Sequence, residues 1–326
     1  MTNSKTELVS VTNHSAFAEE VDQGLSANPK TLPSKYFYDA TGDKIFQEIM
    51  AMEEYYLTRA EHWIFEHRKT EILNAVTADE EEFRLLELGA GDGLKTRVLL
   101  EYFIDQEASF DYSPVDISDN VLQILTRRMQ QQLPSLHVTP RCGDYFEVLS
   151  KLEYKKGLKN LVFFLGSNIG NFDNEKAIEF LSRLRRYLNE GDMLLIGFDL
   201  RKNPDTILNA YNDKGGVTRR FNLNLLERIN RELGGDIDVS AFEHYPIYNP
   251  STGECKSYLI NTRAQDFYIE ALEKHFHLEP WEPIFTEVSK KYSLNEINNL
   301  CERSGFHAVE EFYDERNYFV DVLWKA

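Results

Sequence analysis

Apolar and polar positions fall into two textures along the chain. From about residue 84 to residue 200, short apolar runs alternate with longer stretches in which apolar residues recur every three or four positions. This alternation predicts buried strands of a parallel sheet with helices on both faces. The strands fall at Arg84–Leu88, Phe110–Ile117, His137–Arg141, Asn160–Leu165 and Asp192–Phe198. Between the last two, "NFDNEKAIEFLSRLRRYLNEGD" predicts an amphipathic helix. Asp173 or Asn174 caps it, Ile178, Leu181, Leu184 and Leu188 form its apolar face, and Gly191 follows its end.

Past Leu200 the chain is richer in Asn, Tyr and turn residues, and reads as helices followed by an antiparallel meander. The last segment, "SLNEINNLCERSGFHAVEEFYDERNYFVDVLWKA", predicts a Ser-capped helix and two strands around "DERN" that complete the first sheet. The second texture is then an insertion. The aromatics of "KYFYD" and "EEYY" need partners before the first sheet begins, so Ala16–Thr58 is expected to pack with it. The expected organisation is a tail at 1–15, a second lobe at 16–58 plus 200–290, and a sheet domain at 59–199 plus 291–326. The fold class is α/β: a Rossmann-like domain carrying an inserted α+β lobe.

Composition narrows the function. Fifty-four acids against 36 Lys plus Arg give a net charge of -18, spread along the chain, which argues against phosphate backbones and anionic lipid, so no nucleic-acid partner is expected. No apolar run approaches the roughly 20 residues that cross a bilayer, and no membrane association is expected. Cys142, Cys255 and Cys301 are odd in number and have no close pairs, which points to a reducing compartment, the cytoplasm. His275 and His277 share one strand face without a third ligand, so no metal is assigned. The expected protein is a monomer with a small-molecule partner.

The chemistry begins at "LLELGAGDGLKTR". In a doubly wound sheet, ligands lie beyond the carboxyl ends of the strands, where a glycine-rich turn lets backbone approach them. Glycines at 89, 91 and 93 miss the dinucleotide spacing G-x-G-x-x-G and match the shorter loop of S-adenosylmethionine enzymes. Asp116 of "SPVDIS" closes the second strand, where it can accept from ribose hydroxyls. Asp144 of "CGDYF" follows the third, beside Tyr145, an aromatic suited to cover adenine. The fourth strand leads into "FFLGSNIGNF", a loop of small polar residues without the two prolines and aromatic of a base-flipping amino-methyltransferase.

Seven motifs together, "LPSKYFYDATGDKIFQEI", "EEYYLTRAE", "ELGAGDGLKTR", "FFLGSNIGNF", "AYNDKGGVTRRFN", "NRELGGD" and "TEVSKKY", resemble the histidine Nα-methyltransferases of ergothioneine biosynthesis, from about Phe17 to the C-terminus. The resemblance implies S-adenosylmethionine as cofactor, held by Gly89, Gly91, Lys95, Asp116, Asp144 and Tyr145. It implies that Asn171 and Tyr211 hold the carboxylate and amine region of an amino acid, that Glu287 and Ser289 bind its imidazole, and that Tyr55 closes over it. It also implies that Tyr38 lies near the site, and Tyr38, Asn171 and Tyr211 are the implied catalytic residues.

One position departs from the pattern. Where histidine-specific members place a methionine against the imidazole, register with the flanking motifs puts Ser257, in "GECKSYLINT". A hydroxyl there leaves more room and another hydrogen bond, so the side chain accepted could differ from histidine's. The expected activity is S-adenosylmethionine-dependent methylation, up to three times, of the α-amine of histidine or a close relative. Two rivals remain open: the same reaction on tryptophan or tyrosine, and a silent protein that binds S-adenosylmethionine or an amino acid.

Overall fold

A computed structural model describes residues 16–78, 82–152 and 157–326. The expected tail at 1–15 lies outside them. Contacts divide the chain into two units: Met1–Tyr56 with Lys202–Ser289, and Leu57–Arg201 with Lys290–Ala326.

The second unit is built on a seven-stranded sheet. In spatial order its strands are His307–Tyr313, Phe319–Lys325, Met193–Asp199, Leu158–Phe164, Glu82–Leu88, Phe110–Asp116 and Arg141–Cys142. The five that come first in the chain run parallel, and Phe319–Lys325 enters antiparallel between Met193–Asp199 and His307–Tyr313. This is the doubly wound order with its reversal between Glu82–Leu88 and Leu158–Phe164.

Each face of the sheet is sealed by its own core. On one, Leu86, Val162, Ile196 and Trp324 meet Leu181 and Leu184 of the helix Asn174–Tyr187 and Ile297 and Leu300 of the helix Leu294–Ser304. On the other, Leu85, Phe163, Leu195 and Leu323 meet Ile64 and Phe65 of Tyr56–His67 and Leu99 and Phe103 of Arg97–Asp105. Asp173 is the cap of Asn174–Tyr187, accepting from the Lys176 N–H at 2.9 Å. That helix buries Ala177, Phe180, Leu181 and Leu184, while Ile178, expected on the buried face, is half-buried at its edge.

Three strand limits differ from expectation for physical reasons. Pairing at the edge is confined to Arg141–Cys142, with only an isolated bridge at Val138, because Pro140 interrupts the ladder. The second strand ends at Asp116, whose carboxylate turns the chain by accepting from the Ser118 N–H at 2.9 Å. Pairing with Leu158 and Lys159 extends Glu82–Leu88 two residues earlier than expected.

The first unit has a four-stranded sheet in the order Lys30–Thr31, Pro283–Lys290, Glu254–Asn261, Phe242–Asn249. The expected meander is interrupted: Gln265–Ile269 and Lys274–Leu278 pair only with each other, and the chain rejoins the sheet where Asn261 N–H bonds the Glu282 carbonyl at 3.1 Å. The helix Val217–Leu233 lies over this sheet. Asp213 starts it by accepting from the N–H groups of Val217 and Thr218, both at 2.8 Å, and Gly234 ends it at φ +65°. Its Phe221, Leu225 and Ile229 share a core with Leu259 and Ile284 of the sheet and with Phe17, Val21, Phe37 and Ile45 of the N-terminal segment.

At the start of Leu294–Ser304, Ser293 and Glu296 form a reciprocal capping box. Ser293→Ala removes it and is expected to cost about 1 kcal/mol in chemical denaturation; an unchanged unfolding midpoint contradicts that role.

Candidate active site

The sheet reversal in the second unit sets the glycine loop beside the loop "GSNIGN". Gly89, Gly91 and Gly93 all have positive φ, at +71°, +54° and +66°. The loop leaves its strand through hydrogen bonds from Gly89 and Ala90 N–H to the Val115 carbonyl, at 2.9 and 3.3 Å. The three glycines do different work. A Cβ on Gly93 would lie 2.8 Å from Met129 Cε and 3.0 Å from Leu125, so this glycine lets the loop seat against the helix Asp119–Gln132. A Cβ on Gly89 would lie 2.8 Å from the Tyr145 hydroxyl, whereas one on Gly91 would meet nothing within 4 Å. Gly91 therefore supplies backbone conformation, and its N–H points to the Asp116 carboxylate at 3.4 Å.

Below the loop, Glu87 anchors its far side. The carboxylate is buried and accepts from the hydroxyls of Thr96 and Tyr112. Burial pushes its pKa up to about 7, the two hydrogen bonds pull the other way, and the charges of Asp92 and Asp116 add to the rise.

Of the residues expected to hold the cofactor, Gly89, Gly91, Asp116 and Tyr145 come together around this loop. Asp144 caps the helix Tyr145–Ser150, its Oδ1 accepting from Phe146 and Glu147 N–H at 2.9 and 3.3 Å. The Tyr145 ring packs edge-on against Phe164 and Phe180, so it turns its hydroxyl, rather than a ring face, toward Gly89. Burial, with Asp116 and Asp144 nearby, pushes that phenol up to about 12, and it stays protonated. Ile117, which the apolar run absorbs into a strand, follows Asp116 with its side chain 78% exposed. It is the apolar surface beside Asp116 that sequence reasoning missed, and the signal was its place after a strand-ending aspartate. An exposed apolar side chain, an acid and a glycine loop free of side chains suit an adenosine, so the donor set fits S-adenosylmethionine.

The loop after Leu158–Phe164 turns sharply at Ser167, φ +57°, whose hydroxyl accepts from the Asp199 N–H at 3.0 Å. A short 3-10 turn, Asn168–Asn171, follows and leaves Asn171 exposed. Gly170 is required there, since a Cβ would lie 2.8 Å from the Lys290 carbonyl.

In the first unit the structure joins Tyr211, Ser289 and Tyr55. Tyr211 ends the helix Pro204–Tyr211, and its hydroxyl meets the Ser289 hydroxyl at 2.8 Å. The Tyr55 ring stands edge-on to Tyr211, centroids 6.2 Å apart. Glu287 sits half-buried two residues before Ser289 in the strand Pro283–Lys290. Tyr38, 43% exposed, packs its ring against Phe46 and Phe221. Ser257 is buried, and its hydroxyl is within 3.3 Å of Nε2 of His244, a residue that no motif singles out. Burial brings that imidazole down to about 4, so it is neutral at physiological pH. Only the pairing of Pro246 with Ser257 brings His244 to the same face. Among the described residues no cluster of three or more His, Cys, Asp or Glu would hold a metal ion, and no helix is long and apolar enough to cross a membrane.

The strand order and the glycine loop with its strand-ending acid define the class: a Rossmann-like methyltransferase that uses S-adenosylmethionine. More narrowly, the S-adenosylmethionine-dependent, histidine-specific methyltransferase family matches residues 17–326, and the chain belongs to that family. It is 39% identical over 304 residues to a histidine N-alpha-methyltransferase of Mycolicibacterium smegmatis, covering 93% of each chain. It is 35% identical over 306 residues to the histidine N-alpha-methyltransferase of Mycobacterium tuberculosis, covering 94% of each. An L-tryptophan methyltransferase of Psilocybe serbica is 26% identical over 330 residues, with 93% of this chain and 91% of the relative covered.

Two outcomes follow. Gly89→Ala forces a side chain onto a positive φ and into the Tyr145 hydroxyl, and is expected to weaken S-adenosylhomocysteine binding by at least about tenfold in calorimetry; unchanged affinity contradicts the loop assignment. Because the Glu87 carboxyl titrates higher folded than unfolded, its contribution is full below pH 4.5 and lost as pH rises through about 7. Denaturation of wild type and Glu87→Gln should shift in favour of the variant by about 2–3 kcal/mol between these limits, and a constant difference contradicts the raised value.

Proposed function

We propose that this protein transfers methyl groups from S-adenosylmethionine to the α-amine of histidine or a close relative, up to the trimethylated betaine. The observation that carries the reading is the hydroxyl pair at 2.8 Å between Tyr211 and Ser289, the latter on the strand that also bears Glu287. A neutral phenol and an amide hold the polar end of an amino acid without adding a cation that would repel a sulfonium, and a half-buried carboxylate selects a ring that offers an N–H. Membership of a histidine-specific family supports the same substrate.

When bound, the cofactor supplies an electrophilic methyl group on sulfur. The chain's own residues do the rest by positioning. Asn171 donates its amide to the substrate carboxylate, as Tyr211 does with its phenol. Glu287 and Ser289 hold the imidazole, and Tyr55 closes over the ring. The amine must present a neutral lone pair in line with the methyl carbon, so catalysis is orientation plus a route for the amine proton to water, with Tyr38 and Tyr211 as the phenols beside that route. Gly89, Gly91, Lys95, Asp116, Asp144 and Tyr145 hold the donor. All three cysteines are unpaired, which suits the cytoplasm.

A second reading, the same reaction on another amino acid such as tryptophan, is favoured by one feature: the Ser257 hydroxyl and neutral His244 form a polar pair across two adjacent strands.

Incubation with S-adenosylmethionine and histidine, tryptophan or tyrosine separately, read by mass spectrometry, tests the proposal. The mass of one to three methyl groups is expected on histidine; gain on tryptophan or tyrosine alone contradicts it. Glu287→Ala should raise KM for histidine by at least about tenfold, and Asn171→Ala should lower kcat/KM by about a hundredfold. Histidine turnover unchanged by Glu287→Ala contradicts the imidazole assignment.

A further inference from the structure

The strand Phe319–Lys325 carries an acid in an apolar row. Asp321 lies between Phe319 and Leu323, is 0% exposed, and neither carboxylate oxygen has a hydrogen-bond partner. Paired with it is Gly197, where a Cβ would fall 2.6 Å from Glu61 Oε1, 3.0 Å from Asp321 Oδ1 and 2.9 Å from the Phe319 ring. The glycine leaves the room in which two buried carboxylates approach each other. Glu61, on the helix Tyr56–His67, is also 0% exposed; its Oε1 accepts from the Gly166 N–H at 2.7 Å and its Oε2 is ion-paired with Lys95. The Lys95 side chain is 24% exposed and reaches back from the glycine loop to the turn at Gly166, where a Cβ would lie 3.6 Å from its Nζ.

Two acids and one cation in an apolar core leave one negative charge too many, and the acid without hydrogen-bond donors is the one that keeps its proton. Burial pushes the Asp321 carboxyl well above the usual carboxylate range against the pull of Lys95, and brings the Lys95 ammonium below its ordinary range against the pull of Asp321. The titratable groups facing Asp321 are Glu61 from its helix and Lys95 from the glycine loop. The strands on either side present Gly197 and Phe312 at the paired positions, and neither titrates. When Asp321 gives up its proton, its new charge falls on Lys95, and the ammonium keeps its own proton to higher pH.

We propose that Glu61 and Asp321 are positioning residues for Lys95: Glu61 aims the ammonium, and the buried Asp321 carboxyl behind it, once charged, keeps it cationic so that it holds the carboxylate of the methyl donor. Only the final clause rests on the proposed function. The socket itself belongs to the free protein and is testable there.

Amine labelling of the full chain with acetic anhydride, without cofactor and read by peptide mass spectrometry, follows Lys95 against the exposed Lys44 and Lys214 as references. At neutral pH, wild type and Asp321→Asn should label Lys95 alike; at about pH 9 the variant should label several-fold faster, because it has lost the charge that restrains the proton. Glu61→Gln should label faster at both. Asparagine keeps the shape of the site, so a purely structural Asp321 would move the melting temperature and leave Lys95 labelling unchanged. Equal Lys95 rates at about pH 9 overturn the socket. Calorimetry with S-adenosylhomocysteine then tests the donor: the affinity of Asp321→Asn should fall several-fold relative to wild type at the alkaline pH only. Altered labelling with unaltered affinity overturns the assignment of Lys95 to the donor, and leaves the reading of histidine as substrate to its own test.

Discussion

The reversal of strand direction of travel at the centre of the seven-stranded sheet is the constraint on which the rest depends. From Glu82–Leu88 the chain winds one way to Phe110–Asp116 and Arg141–Cys142; from Leu158–Phe164 it winds the other way to Met193–Asp199. Connections that leave adjacent strand ends in opposite directions cannot fill the space between them. The glycine loop and the loop Gly166–Asn171 therefore flank a crevice. Everything assigned to the methyl donor lies along it, on backbone whose path is set by buried strands.

Those loops are tied down by buried acids as well as by apolar contacts. Glu87 fastens Thr96 under the glycine loop, and Glu61 holds both Lys95 and the Gly166 N–H. Asp199 is ion-paired with Lys291 at 2.9 Å, both fully buried, and its N–H fixes Ser167. A buried charge is costly unless it is fully hydrogen-bonded, and such groups contribute little net stability. What they supply is direction, since a carboxylate with two committed oxygens permits few positions for the donors around it. Asp321 has no committed oxygen, which is why it reads as a reservoir of charge and not as a strut.

Much of the large sheet was legible in sequence because its strands are continuous apolar runs and its helices carry clear caps. Asp173 and Ser293 announce their helices by side chains that bond their own first turns. Strand ends were less legible. Ile117 continues an apolar run yet stands in the open, because the turn is made by the Asp116 side chain and not by a change of polarity. Val138 looks like strand, yet Pro140 keeps all but an isolated bridge from pairing. In the candidate site, residues on one loop were readable together, whereas Glu61, Asp321 and His244 meet their partners only through register and packing between distant segments. No local pattern marks a glycine such as Gly197 as the gap between two acids.

Regiochemistry is the most direct test of the central claim that the amino acid's α-nitrogen is the acceptor. Histidine turned over with S-adenosylmethionine carrying a carbon-13 methyl group, followed by proton–carbon correlation NMR of the product, locates each transferred methyl. The account predicts every labelled methyl on the α-nitrogen, with both ring nitrogens unmethylated. Label on an imidazole nitrogen, or none on histidine, would contradict it.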